Sequence, residues 1–163
     1  MAFQDYFPGN LCEGCGPKNK TGKRIKSYWV TDKRLETICS WKMKKRYSAA
    51  SENVLHGGCS ASLMDCHSIW TAIAARYDLE KLPFGSSAIW YETAAMHFQL
   101  LKHIPIDAGI LTIIARVEEL KQHSRKCVVF SEIIVRGICC AEALIVGIRV
   151  DRTQEQLSLL LQK

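Results

Sequence analysis

With 163 residues, 48% of them hydrophobic and 23% charged, the chain is long enough to bury one sizeable core, short for two, and unlike disordered or collagen-like sequences. Its net charge of +6 is concentrated in the first third, because residues 1–46 hold eleven Lys or Arg against four acids and the remainder holds eleven against twelve. The start has neither the basic residues nor the apolar run of a secretory signal, and no stretch reaches the roughly 20 apolar residues of a membrane span, so a cytoplasmic protein without a membrane partner is expected.

One domain over 1–163 is expected. Residues 1–22, rich in Gly, Pro and Asn and containing Cys12-Glu13-Gly14-Cys15-Gly16-Pro17, read as an irregular lead-in. Arg24 to Thr31 and Leu35 to Met43 carry β-branched and aromatic residues around polar Asp32-Lys33-Arg34, which predicts a hairpin. From His56 to Arg76, apolar residues recur every three or four positions with no Pro or Gly after position 58, which predicts one long helix. It is apolar or small around most of its circumference and should be buried. Leu82 to Ser87 breaks the chain, and strands are predicted over 88–101, 109–121, 125–135 and 138–150. Thr153 to Gln162 reads as a short amphipathic helix with Leu157, Leu160 and Leu161 on one side. Two strands, one buried helix and four strands make an α+β order, with an antiparallel sheet curled around the helix. Such a sheet leaves edge strands, and a dimer formed by extending it is plausible on physical grounds.

Lys18, Lys20, Lys23, Arg24 and Lys26 form one basic group and Lys42, Lys44, Lys45 and Arg46 another, suited either to phosphates or to a solvated face. No nucleic-acid recognition motif accompanies them, so no nucleic-acid partner is expected. The Cys12/Cys15 pair has no second Cys or His pair at zinc-site spacing and no βαβ surroundings, so no metal is expected. Cys59, Cys66, Cys127, Cys139 and Cys140 lie in apolar segments, which suits reduced core cysteines.

The chemistry concentrates between Asn53 and Asp65. Gly57 and Gly58 at a helix start let a ligand approach the backbone, and free amides there can donate to a carbonyl gaining negative charge. Asp65, about two turns into an apolar helix, is costly unless something recovers the cost. It either points to water or a neighbouring segment, or it reacts.

The run "LHGGCSASLMDCHS", with Asp65 nine residues after His56, resembles the phenylacetate-degradation type of acyl-CoA thioesterase in the hotdog superfamily. "LCEGCGPKNKTGKRI" is similar to a Cys-x-Gly-Cys-Gly-Pro lead-in of one branch, with Lys20 and Lys23 where Pro and Leu are usual. "TAAMHFQLLKHIPIDAG" and "EALIVGIRV" resemble later strands, so the likeness spans about 12–150. The resemblance implies a hotdog fold and a dimer or dimer of dimers, with sites between subunits that hydrolyse acyl-CoA without a cofactor. Asp65 would be general base or nucleophile, Gly57 and Gly58 the carbonyl-polarising amides, and Thr93 a positioner of water. His56 would position substrate, and Asn53 or Ser51 would stand in for the polar substrate contact that relatives carry where Ser48, Ala49 and Ala50 stand here. A hotdog module that binds acyl-CoA without turnover is the alternative. Trp70, Ile73 and Trp90 are candidates for the far end of an acyl pocket.

Overall fold

The computed structural model describes residues 1–162. Among them the chain forms a two-residue strand β1 (Tyr28–Trp29), β2 (Glu36–Lys42), the long helix α1 (Gly57–Leu79), β3 (Ile89–Leu100), β4 (Ile110–Leu120), β5 (Lys126–Val135), β6 (Ile138–Asp151) and a short helix α2 (Gln154–Leu161). The strands make one antiparallel sheet in the order β1-β2-β4-β5-β6-β3. Short turns dictate most of this, since Arg136 and Gly137 alone connect β5 to β6, both with positive φ.

The sheet packs around α1. Leu63, Met64, Trp70, Ile73 and Tyr77 of the helix are buried, and they meet a sheet face built on period two by Leu111, Ile113 and Ala115 of β4 and Cys127, Val129 and Ile133 of β5. A helix covered from several sides needs no single apolar stripe, which is why its sequence looked apolar nearly all round. No helix among the described residues is long and apolar enough to cross a membrane.

Most polar groups inside the core are paired, the buried Ser60 hydroxyl being an exception among the described residues. His67 of α1 is fully buried, with Nδ1 2.9 Å from Ser27 Oγ and Nε2 3.2 Å from Thr37 Oγ1. Burial pushes its pKa down to about 4, so the ring is neutral and joins helix to sheet as a hydrogen-bonding spacer. Arg76, also buried, donates from Nε to Tyr91 Oη at 2.8 Å and from its terminal nitrogens to the carbonyls of Gln122 and Ser124 at 3.0 and 2.5 Å. It fixes the β4–β5 turn to the helix.

Two predicted elements are corrected. The strand expected from Arg24 to Thr31 shrinks to Tyr28–Trp29, because the backbone before it bonds to the lead-in: Lys23 N–H to Glu13 O at 2.8 Å, Ile25 N–H to Gly14 O at 3.1 Å, and Phe3 N–H to Ser27 O at 3.0 Å. The lead-in itself is irregular yet partly buried, with Phe7 packed against Trp70 and Trp90 at centroid distances of 5.5 and 5.6 Å. In α2, Leu157 and Leu160 pack on the core while Leu161 is exposed, so its apolar side is narrower than expected.

Candidate active site

Helix α1 starts where His56 leaves the helical conformation and accepts the Gly58 N–H on its ring Nδ1 at 3.0 Å. A side chain at position 58 would run into that ring at 2.9 Å, so glycine is what lets the histidine cap its own helix. The two glycine amides therefore differ. Gly58 donates to His56, whereas Gly57 N–H meets no acceptor among the described residues and is free to serve a ligand at the positive end of the helix.

About two turns on, Asp65 lies half-buried between α1 and β3. Thr93 Oγ1 donates a hydrogen bond to its Oδ1. Burial raises the Asp65 pKa, and the Thr93 bond opposes the rise without cancelling it. β3 brings Thr93 there through its register with β6, in which Thr93 stands opposite Gly147 just before a bulge ahead of Ala95. Gly147 leaves space for the helix, since a Cβ there would meet Ile69 Cδ1 at 3.1 Å.

Asp65 and Thr93 open onto a cavity of about 410 Å³. Ile69, Trp70, Ile73 and Trp90 form its apolar lining, and Asn10, Cys12, Cys15 and Arg152 its polar margin. Arg152 stacks over the Trp90 ring, 4.9 Å from its centroid, and donates to Glu92 at 3.2 Å. A carboxylate with one oxygen held, beside an aromatic-lined cavity, can take a proton from water or attack an electrophilic carbon.

The structure thus brings Asp65, Thr93, Trp70, Ile73 and Trp90 together around one space, while Gly57, Gly58 and His56 lie at the far end of the same helix. His56 and Gly58 border a separate shallow depression with Lys23 and Arg46, where Lys23 pairs with Glu13 at 2.5 Å and Arg46 lies over Tyr47. Asn53 stands outside both. Its side chain accepts from Asp107 N–H at 3.0 Å and donates to the Asp107 carboxylate at 3.1 Å, which ties two loops together. Sequence reasoning missed Asn10, Cys12, Cys15 and Arg152 as neighbours of Asp65, because none has a local pattern that points to a cavity built from the lead-in, the helix and the chain after β6.

No family model matches the chain, and no curated protein does. Solved structures do. The PaaI protein of the E. coli phenylacetic acid degradation operon superposes with a TM-score of 0.57 at 18% identity, over 72% of this chain and 75% of that one. A Haemophilus influenzae thioesterase gives 0.61 at 14% identity, over 79% and 80%. A hypothetical thioesterase from Streptococcus pneumoniae, solved with coenzyme A, gives 0.60 at 14% identity, over 79% and 89%. A six-stranded antiparallel sheet around one long helix, shared with these proteins, gives the chain the hotdog fold.

Proposed function

We propose that the protein is an acyl-CoA thioesterase, a thioester hydrolase that works as a homo-oligomer with its active sites between two copies. The observation that carries this reading is the Asp65 carboxylate, held by Thr93 at the aromatic-lined cavity. The free Gly57 amide, taken from a second copy, supplies the complementary group. The solved neighbours favour the substrate class, since one holds coenzyme A.

The chemistry follows from these groups. With the acyl chain in the cavity, Asp65 Oδ2, the oxygen that Thr93 leaves free, takes a proton from water as the water oxygen bonds to the thioester carbonyl carbon. The oxyanion that forms is met by the Gly57 amide. Collapse breaks the C–S bond, the electron pair leaves on the CoA sulfur, and the proton passes from Asp65 to that thiolate. In the direct variant, Oδ2 attacks the carbon, the C–S bond breaks with its electron pair leaving on the CoA sulfur, and water then splits the anhydride into free acid and the Asp65 carboxyl, whose proton passes to the thiolate. Neither route needs a cofactor beyond the CoA of the substrate.

Asp65 and Gly57 cannot serve one carbonyl within a single chain. Eight residues of helix separate them by about 12 Å, whereas base and amide must each lie ~3 Å from the reacting atoms. A second copy resolves this. β3 is a sheet edge whose residues from Glu92 to His97 are all exposed, and pairing it with β3 of a second copy would continue the sheet. Gly57 sits beside Leu100 of its own chain. A register placing Thr93 across from Leu100 of the second copy therefore carries that copy's Gly57 to Asp65. Arg46, near Gly58, then offers positive charge for the phosphates of CoA.

The test is release of CoA thiol from short, medium, long and aromatic acyl-CoAs by the native protein and by Asp65→Asn. At least one substrate should be hydrolysed, and Asp65→Asn should lower that rate by ~10²-fold or more. Binding of acyl-CoA by the native protein without any turnover would replace the enzyme reading with that of a non-catalytic acyl-CoA-binding protein.

A further inference from the structure

The lead-in turn Cys12-Glu13-Gly14-Cys15 folds across α1 at Cys66, on the margin of the Asp65 cavity. The sulfurs of Cys12, Cys15 and Cys66 all lie within 4.8 Å of one another, and Cys12 Sγ is 3.7 Å from Cys66 Sγ. Three sulfurs this close are unusual for a core of reduced cysteines, where each thiol ordinarily packs as an isolated small hydrophobe. Cys39, Cys59, Cys127 and Cys140, all buried, join no such group among the described residues.

The spacing has a chemical meaning. Two thiolates at about 2.3 Å from a tetrahedral zinc ion stand ~3.8 Å apart, which is the Cys12–Cys66 separation. The backbone is shaped for that approach. A Cβ on Gly14 would fall 2.3 Å from Cys66 Sγ, so only glycine admits the helix sulfur into the turn. The turn is also fixed before any ligand arrives, by Gly16 N–H to Cys12 O at 2.8 Å, Cys12 N–H to Asn10 Oδ1 at 2.9 Å, and the bonds from Lys23 and Ile25 described above. Asn10 Nδ2 points at Cys15 Sγ from 3.7 Å, the kind of outer donor that steadies a metal-bound thiolate.

We propose that Cys12, Cys15 and Cys66 form a binding site for a soft divalent cation of the Zn²⁺ type, with three thiolate ligands and a fourth position open to the Asp65 cavity. No fourth Cys, His, Asp or Glu joins the group among the described residues, and three protein ligands with one open position is the count of a site that exchanges a ligand rather than a closed structural site. The metal would clamp the lead-in to α1 and so fix one wall of the cavity. The pair Cys12/Cys15 looked solitary in sequence because the third sulfur comes from a helix residue 54 positions after Cys12. The site stands independently of the thioesterase reading.

Co²⁺, whose thiolate complexes absorb strongly in the near ultraviolet, is the probe. It is added to the full chain after reduction and chelator treatment, Zn²⁺ is then added as competitor, and native mass spectrometry counts the metal. The expected result is one Co²⁺ per chain with thiolate-to-cobalt absorption, displaced by Zn²⁺. Cys12→Ser and Cys66→Ser, on different elements, should each weaken binding beyond the ~10- to 100-fold that loss of a supporting group costs, and Asn10→Ala should fall within that range. Cys139→Ser, in the separate Glu132, Cys139 and Glu142 group, should change nothing. Circular dichroism shows whether each variant keeps its fold. Absence of the absorption in the reduced native chain overturns the proposal, as does absorption that survives in folded Cys12→Ser and Cys66→Ser. Formation of a Cys12–Cys66 disulfide on oxidation, with no metal bound by the reduced chain, would make the cluster a redox pair instead.

Discussion

Arg76 and Asp65 stand on the same helix about three turns apart, and the fold treats them in opposite ways. Arg76 is surrounded by acceptors, with Tyr91 Oη and several turn carbonyls taking its N–H groups. Asp65 has one hydroxyl partner, a second oxygen left over and a cavity in front of it. A buried charge with an acceptor at each of its nitrogens holds structure together. One with capacity to spare beside an empty space has a use beyond the fold. The two ends of α1 follow the same division, since its last turns are locked to the sheet while its first turn keeps an amide free.

The contrast can be broken by substitution, beginning with the reacting groups. Asp65→Asn should abolish most thioester hydrolysis, by ~10² to 10⁴-fold in kcat, with an unchanged melting temperature. Gly57→Pro removes the free N–H at a helix position where proline is well tolerated, and should lower kcat by about 10²- to 10³-fold without unfolding the helix. Mixing the two inactive variants sharpens the point. If carboxylate and amide come from different copies, mixed dimers hold one intact site and activity returns; if both came from one chain, it would not.

Arg76→Leu tests the other side of the comparison. It strands Tyr91 and the carbonyls of the β4–β5 turn, and should cost about 2–4 kcal/mol in urea unfolding, while kcat per folded molecule stays near native. Thr93→Val is smaller. Losing one bond to a carboxylate should reduce kcat by about 10-fold, with KM little changed. Smallest is Asn53→Ala, which unties Asp107 and should cost ~1 kcal/mol of stability with KM within about twofold of native; a large rise in KM would return Asn53 to the substrate.

Much of this was legible in the sequence. The strands from residue 88 onward and the helix were found to within a few residues, because their periodicity and punctuating turns act locally. Asp65 and Thr93 were assigned to one site from resemblance alone, without the bond between them, and the cavity at Trp70, Ile73 and Trp90 was named without a location. The lead-in was the opposite case. Its Gly, Pro and Asn content reads as loop, and nothing in that composition tells that Phe7 and Cys15 are core residues or that residues 23–27 pair with it rather than with the sheet. The difference between Gly57 and Gly58 was equally hidden, since it depends on which way one imidazole turns.

The 12 Å of helix between Asp65 and Gly57 has one more consequence. If a complete site exists only where two copies meet, an isolated copy is inert, and dilution switches the protein off. At high dilution the rate would rise with the square of total protein concentration, and at high concentration in simple proportion to it. The crossover between the two regimes would report the dissociation constant of the dimer, so that an ordinary activity assay becomes a measurement of self-association.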